Sequence, residues 1–245
     1  MRALSAAEFL DVWEHGLTQS PAQRALTLLA LACTETSVEQ LGQFSIGQRD
    51  ASLLALREQT FGSQLASITI CPACAEQLQF HVSTADIRPT SLKAELAGPL
   101  HLTHADYHVE FRLPTSLDLA SLDPATDLET NRQHLLQRCV IASRREGMEI
   151  AAAELPAEVG TAIAQRMAAA DPQADVQLAL ACPKCQHAWK APLDIVSYFW
   201  TEIDAWAGRL LREIHALASA YGWREAEVLA LSPWRRQVYL ELIES

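Results

Sequence analysis

Cys71-Pro72-Ala73-Cys74 and Cys182-Pro183-Lys184-Cys185 are the two stretches whose reading decides the fold. Each follows an apolar run with strand character: Ile68 to Ile70 in the first case, Val176, Leu178 and Leu180 in the second. Soon after each pair comes a second short apolar segment, Leu78, Phe80 and Val82 or Ala188-Trp189. The pattern reads as strand, knuckle, strand, and the two copies read as the halves of one zinc ribbon. Two thiolates separated by two residues can occupy adjacent corners of a tetrahedron around zinc. Proline after the first cysteine presets φ for a tight turn. One such pair is open to redox chemistry, to zinc or to neither. Two copies with proline at the same place are specific.

The spacing departs from a compact ribbon, because 107 residues separate Cys74 from Cys182. Closing so long a loop costs only about 4 kcal/mol, while a structural zinc returns roughly 10–16 kcal/mol. The expected site is therefore a single zinc held by Cys71, Cys74, Cys182 and Cys185, with no open coordination position and no Lewis-acid role. A thioredoxin-like dithiol is a rival, but that motif opens a helix within a βαβ unit, and here strand-like residues flank both pairs. Local disulfides are another rival. They need an oxidising compartment, and Met1-Arg2-Ala3-Leu4 leads into an amphipathic segment rather than a signal peptide.

The chain has 245 residues, 49% of them hydrophobic, enough to bury a real core. No apolar run has the length of a membrane span. A formal charge of −11 argues against nucleic acid, since the summed field repels phosphates. The setting expected is the cytoplasm.

Five parts follow in order. Residues 1–64 form an N-terminal helical part, with caps at Ser5 and Ser20-Pro21 and a third helix from about Gly47 to Thr60. Arg49, Asp50, Arg57 and Glu58 on that third helix read as a solvated face with helical ion pairs. Residues 65–115 hold the first knuckle, a strand broken by Asp86 and Pro89, and a hairpin of Leu100 to Thr103 with Tyr107 to Leu113. His101, His104 and His108 read as surface residues, because residues three apart in a strand face opposite ways. Residues 116–172 read as a helical insertion, one helix opened by Asp123-Pro124 and another by Pro156. Residues 173–192 carry the second knuckle. Cys33 and Cys139 read as buried free thiols within helices.

Residues 193–245 form a C-terminal helical part. Its long helix, from Asp194 to about Tyr221, repeats Val196, Ile203, Leu210 and Leu217 with Trp200, Ala207, Ile214 and Tyr221 in a 4-3 seam. Tyr198, Phe199 and Trp206 lie off that seam, so the apolar surface serves either several helices of one domain or another protein. Gly222 and Trp223 read as a Schellman cap. A last helix after Ser232-Pro233 has Trp234, Val238, Tyr239, Leu242 and Ile243 on its apolar side and Arg235-Arg236 exposed. The fold class expected is α+β, mostly helical, with the split ribbon linking these parts.

Three stretches resemble one family: Ile46 to Gly62, with Arg49-Asp50 and Leu56-Arg57; Phe111 to Leu119; and the tail, His215 to Ala218, Tyr221-Gly222-Trp223, Ala230 to Pro233 and Arg235-Arg236. They are similar to baseplate hub assembly (chaperone-like) proteins of contractile-tailed phages and related contractile injection systems. The resemblance implies a non-enzymatic role in building or joining the baseplate hub, with baseplate or hub proteins as partners and incorporation into a tail particle as an option. It does not imply the metal, which rests on the cysteines alone. Trp206 and Trp234 are the candidate anchors for such a partner. The competing functions are a zinc-ribbon nucleic-acid adaptor, which needs a local basic face, and a dithiol oxidoreductase.

Overall fold

The computed structural model describes residues 1–88, 98–123 and 125–244. Pro89 and Pro124, expected to break a strand and open a helix, lie outside them. Four helices come first: α1 (Ala6–Gly16), α2 (Pro21–Ala32), α3 (Val38–Gly42) and α4 (Ile46–Phe61). All four start with a capping box. The hydroxyls of Ser5, Ser20, Ser37 and Ser45 accept from the N–H three residues on, and Glu8, Gln23, Gln40 and Gln48 accept from the serine N–H.

Beyond them run β1 (Gln64–Ile70), β2 (Gln77–Ser83), the short α5 (Thr84–Ile87), β3 (Leu100–His104) and β4 (Tyr107–Phe111). Then come α6 (Ser116–Ala120), α7 (Leu128–Cys139), β5 (Val140–Arg145), β6 (Met148–Glu149) and α8 (Ala157–Ala170). The chain closes with β7 (Gln177–Ala181), β8 (Ala188–Pro192), α9 (Ile195–Tyr221), α10 (Glu225–Leu229) and α11 (Pro233–Glu244). The class is α+β and mostly helical. Two separate antiparallel hairpins, β1-β2 and β7-β8, flank a four-stranded antiparallel sheet ordered β3-β4-β5-β6.

The expectation that the stretch from Ser116 to Asp171 is helical needs correcting. Val140 caps α7 in extended geometry and starts a strand that pairs with β4, Val109 opposite Ser143. The β-branched pair Val140-Ile141 and a turn with positive φ at Glu146 and Gly147 explain the switch. This insertion has a core of its own, Val109 and Phe111 from the sheet against Val159 and Ile163 of α8.

The main core joins α1, α2, α4 and α9 through Phe9, Leu28, Leu29, Leu53, Leu54, Leu56, Phe199 and Ile203. A neighbouring cluster puts Leu210, Ile214 and Leu217 of α9 against Val228 of α10. The seam of α9 is as expected except at its end, where Tyr221 is exposed and stacks on Trp223 with centroids 4.8 Å apart. Phe199 is fully buried off the seam, so the wide apolar surface serves several helices of the same chain.

The charged face expected on α4 is not solvated. Arg49, Asp50 and Arg57 are all buried. Arg57 pairs with Glu202 of α9 at 2.6 Å, and Arg49 pairs with Asp50 at 2.7 Å. Burial pushes the Asp50 carboxyl up against the opposing pull of Arg49. Arg236 is also buried rather than exposed, with Nε donating to Glu213 at 3.2 Å and Nη1 to the Leu231 carbonyl at 3.1 Å. In each case a partner in the fold replaces water around the guanidinium.

Two close approaches fix how the parts meet. A Cβ on Gly16 would stand 2.1 Å from the Trp200 ring, so α1 reaches α9 only as glycine. The N–H of Gly47 donates to Asp171 Oδ2 at 2.8 Å, which docks the end of the insertion on the start of α4. Nearby, Ile46 N–H donates to the Pro114 carbonyl at 3.1 Å. Asp118, almost wholly buried, accepts from Arg112 at 2.5 and 2.9 Å, from Arg138 at 3.1 Å and from the Thr115 N–H at 2.9 Å. Burial raises its pKa, but the Arg112 and Thr115 contacts prevail and hold the carboxyl well below the usual range.

Overpacking predicts that Gly16→Ala loses about 1–3 kcal/mol in urea unfolding. Gly208→Ala, where a Cβ meets only Arg212 at 3.9 Å, should be neutral or stabilising by up to about 1 kcal/mol. Asp118→Asn should lose at least about 2 kcal/mol at neutral pH, since charge-assisted bonds disappear. The folded carboxyl lies below its unfolded value, so its contribution is complete above about pH 4 and lost as pH falls further. The gap between wild type and variant should therefore narrow on acidification below that point. A gap that widens there would refute the assignment.

Candidate metal centre

Both cysteine pairs cap a two-stranded hairpin. In the first, Cys71 N–H donates to the Glu76 carbonyl at 2.8 Å and Ala75 N–H to the Cys71 carbonyl at 3.0 Å. In the second, Cys182 N–H donates to the His187 carbonyl at 2.9 Å and Gln186 N–H to the Cys182 carbonyl at 2.9 Å. The residue after each second cysteine adopts a left-handed conformation, Ala75 at φ 57° and Gln186 at φ 60°. A non-glycine residue pays about 1–2 kcal/mol for that geometry. The same strain at the same place in both copies marks one turn built twice.

The roots of the hairpins bring these turns together. β1 leaves the end of α4, and β8 leads into α9 through Leu193 and Asp194, whose carboxylate caps α9 by accepting from Val196 N–H at 3.0 Å. The tips then face each other. Sγ of Cys71 lies 3.7 Å from that of Cys185, and Sγ of Cys74 lies 3.6 Å from that of Cys182. All four sulfurs fall within 4.8 Å of one another.

These distances test what the cluster can hold. A disulfide needs about 2.05 Å between sulfurs, and all six cysteines are free. Four thiolates at about 2.3 Å from one ion in a tetrahedron stand about 3.8 Å apart. The four cysteines therefore fit a metal ion, and among the described residues no other group of histidine, cysteine or carboxylate side chains does. Backbone N–H groups around the cluster supply positive potential. Those of Cys185 and Lys184 draw the Cys182 thiol down to about 7 despite burial. The Glu76 N–H acts likewise on Cys74, but burial and the neighbouring sulfurs outweigh it and push that thiol up to about 12. Lys184 Nζ bonds Glu76 Oε2 at 2.7 Å and ties one knuckle to the other, an exposed pair that contributes little by itself.

The remaining singled-out residues sort themselves by burial. Cys139 is buried as expected, its thiol pushed up to about 11 by burial and by the nearby Asp118 charge. Cys33 is only half-buried, because it caps α2 rather than lying inside it. His101, His104 and His108 are exposed, and His108 Nδ1 meets only Thr103 Oγ1, at 3.0 Å. Trp206 packs between the two larger cores, with its ring 5.6 Å from Phe9. Trp234 is 77% exposed, and Val238 and Leu242 continue its row along α11 at one-turn intervals. Sequence reasoning did not find the buried Arg57–Glu202 pair, whose two halves stand 145 positions apart.

Helices packed on a long central helix, with two hairpins whose tips meet at four thiols, define the class of fold. The chain matches the family described as T4 bacteriophage base plate protein over residues 7–200, and it belongs to that family. The match includes the first two of the stretches that carry the resemblance and stops short of the tail. No curated protein and no solved structure matches it. Membership gives the chain a structural or assembly role in a phage baseplate. Among the described residues no helix is long and apolar enough to cross a membrane.

Proposed function

We propose that the chain is a non-enzymatic assembly or structural factor for the baseplate hub of a contractile tail, in a phage or a related injection system, stabilised by one zinc ion. The observation that carries the reading is the family match over residues 7–200. In support of it, the buried charges Arg57 and Asp118 of the matched region are spent on structural pairing, with Glu202 and Arg112 respectively. Zinc is favoured at Cys71, Cys74, Cys182 and Cys185 because an all-thiolate tetrahedron suits a soft ion. With four protein ligands the ion would be closed to substrate and would serve as a fastener in a split ribbon. The site of action on this reading is the bacterial cytoplasm, and after it the tail particle.

The partner is a baseplate or hub protein that docks across α9 and α11. Trp234 is its anchor, with Val238 and Leu242 in the same row. Trp206 acts from beneath, by holding α1 to α9 through Phe9.

Metal analysis of the purified chain should find one zinc per molecule and almost none after Cys182→Ser with Cys185→Ser. Chelation should lower the melting temperature. Zinc well below one per chain, or unchanged in the double variant, would remove the metal from the account. For the partner, Trp234→Ala should keep zinc content and melting temperature while weakening hub binding by about thirtyfold, the effect of roughly 2 kcal/mol. Tails assembled at wild-type level by a normally folded variant would exclude this surface.

A further inference from the structure

The free edge of β1 has a use that neither the metal nor the Trp234 surface accounts for. Thr84 N–H donates to the Ser63 carbonyl at 2.9 Å and Cys71 N–H to the Glu76 carbonyl at 2.8 Å, which sets the phase of the ladder. Leu65, Ser67 and Thr69 thus aim their backbone groups at β2, while Gln64, Ala66, Ile68 and Ile70 aim theirs at the open edge. Two edge carbonyls are taken within the chain: Gln64 accepts from Arg57 and Ala66 from Tyr198, each at 2.8 Å. No hydrogen bond reaches the edge-facing groups of Ile68 or Ile70 among the described residues. Their side chains are 63% and 64% exposed.

On the other hairpin, one of the two edges is guarded. Leu193 N–H donates to the Val176 carbonyl at 2.9 Å, so Ala188, Lys190 and Pro192 face the open side of β8. Lysine and proline there discourage strand addition. The open edge of β2 carries Gln77, Gln79 and His81, all polar. From Gln64 to Ile70, β1 has no charge, no proline and no glycine.

We propose that β1 pairs antiparallel with β1 of a second copy of this chain, through Ile68 and Ile70, to give a sheet of order β2-β1-β1-β2. The free groups set the register, and a second copy presents the same two uncharged residues in the matching pattern. Across a two-fold axis at Thr69, Ile68 of one copy opposes Ile70 of the other, and each pair exchanges two backbone hydrogen bonds. The next opposed pair is Ala66 with Pro72. There the Ala66 carbonyl is already used and proline has no N–H to offer, so the two-bond exchange cannot continue past Ile68 and Ile70. A shift of one pair would set Ile70 against Ala66, whose carbonyl already accepts from Tyr198. In the proposed register four isoleucines meet on one face as β-branched cross-strand pairs. The contact is also uncharged, which matters between chains that each carry −11. A contact this short makes a weak, concentration-dependent dimer.

The test is sedimentation equilibrium of the full-length, metal-loaded protein over a wide concentration range. Wild type should show a monomer–dimer equilibrium. Ile68→Lys with Ile70→Lys sets cation against cation and should weaken it by at least about tenfold. Ile68→Lys with Ile70→Glu sets opposite charges across the two-fold in this register and should recover most of the loss. Each variant is checked for unchanged circular dichroism and zinc content, and Ile68→Thr with Ile70→Thr, which keeps strand propensity, should weaken the dimer if the lysine variants misfold. A monomer at every concentration would overturn the proposal, as would a dimer indifferent to the Lys/Lys and Thr/Thr pairs. Failure of the Lys/Glu pair to recover would overturn it too. A monomer whose Ile68 and Ile70 are needed to bind a baseplate protein would replace the second copy with a foreign strand. None of these outcomes bears on Trp234, so the two surfaces stand or fall separately.

Discussion

The junction between the helical core and the first hairpin depends on the guanidinium of Arg57. Its Nε and Nη2 donate to both oxygens of Glu202, at 2.8 and 2.6 Å, while Nη1 and Nη2 donate to the carbonyls of Gly62 and Gln64. One buried side chain thus locks α4 to α9 and sets the direction in which β1 leaves the core. Because β8 runs into α9, the same contact fixes the distance between the roots of the two hairpins, and through them the meeting of the cysteines. Lysine cannot stand in, since it has one point of charge and no planar fork. Loss of Glu202 would leave a cation in the interior, at a cost of roughly 3–5 kcal/mol.

The insertion between the knuckles is held twice. At one end the four sulfurs gather the hairpin tips. At the other, Asp171 caps α4 at Gly47, and the Ile46 N–H holds the Pro114 carbonyl. Between them the insertion buries its own small core around Phe111 and Ile163. The cysteine cluster is therefore a second meeting point, not the sole contact between remote parts, and the left-handed conformation at Ala75 and Gln186 recurs at the same place in both knuckles.

Local signals were legible in the sequence. The cysteine pairs, the serine caps at Ser5 and Ser20, and the seam of α9 all depend on spacing within a few turns, and each appears where the pattern puts it. What escaped depends on distance. Arg49, Asp50 and Arg57 look solvent-facing because charge does so by default, and Glu202 gives no hint from 145 positions away that it will bury Arg57. Trp206 likewise looks available until Phe9 of α1 is laid against it. The strand β5 was hidden by its direct junction with α7, although the Glu146-Gly147 turn offered a signal. The charged residues Arg49, Asp50, Arg57, Asp118 and Arg236, which lie in or beside the stretches that carry the resemblance, prove to be interior ones.

The split of the cysteine cluster also imposes an order on synthesis. Cys71 and Cys74 emerge from the ribosome 107 residues before Cys182, a gap of roughly 5–20 s at ordinary translation rates. During that time the first knuckle holds only half a ligand set, while α1, α2 and α4 are free to associate without α9 between them. Closure waits until the second knuckle appears, immediately ahead of the helix that completes the main core. A chain interrupted anywhere before that point carries at most two of the four clustered thiols, so the cluster comes together only after the second knuckle has been made.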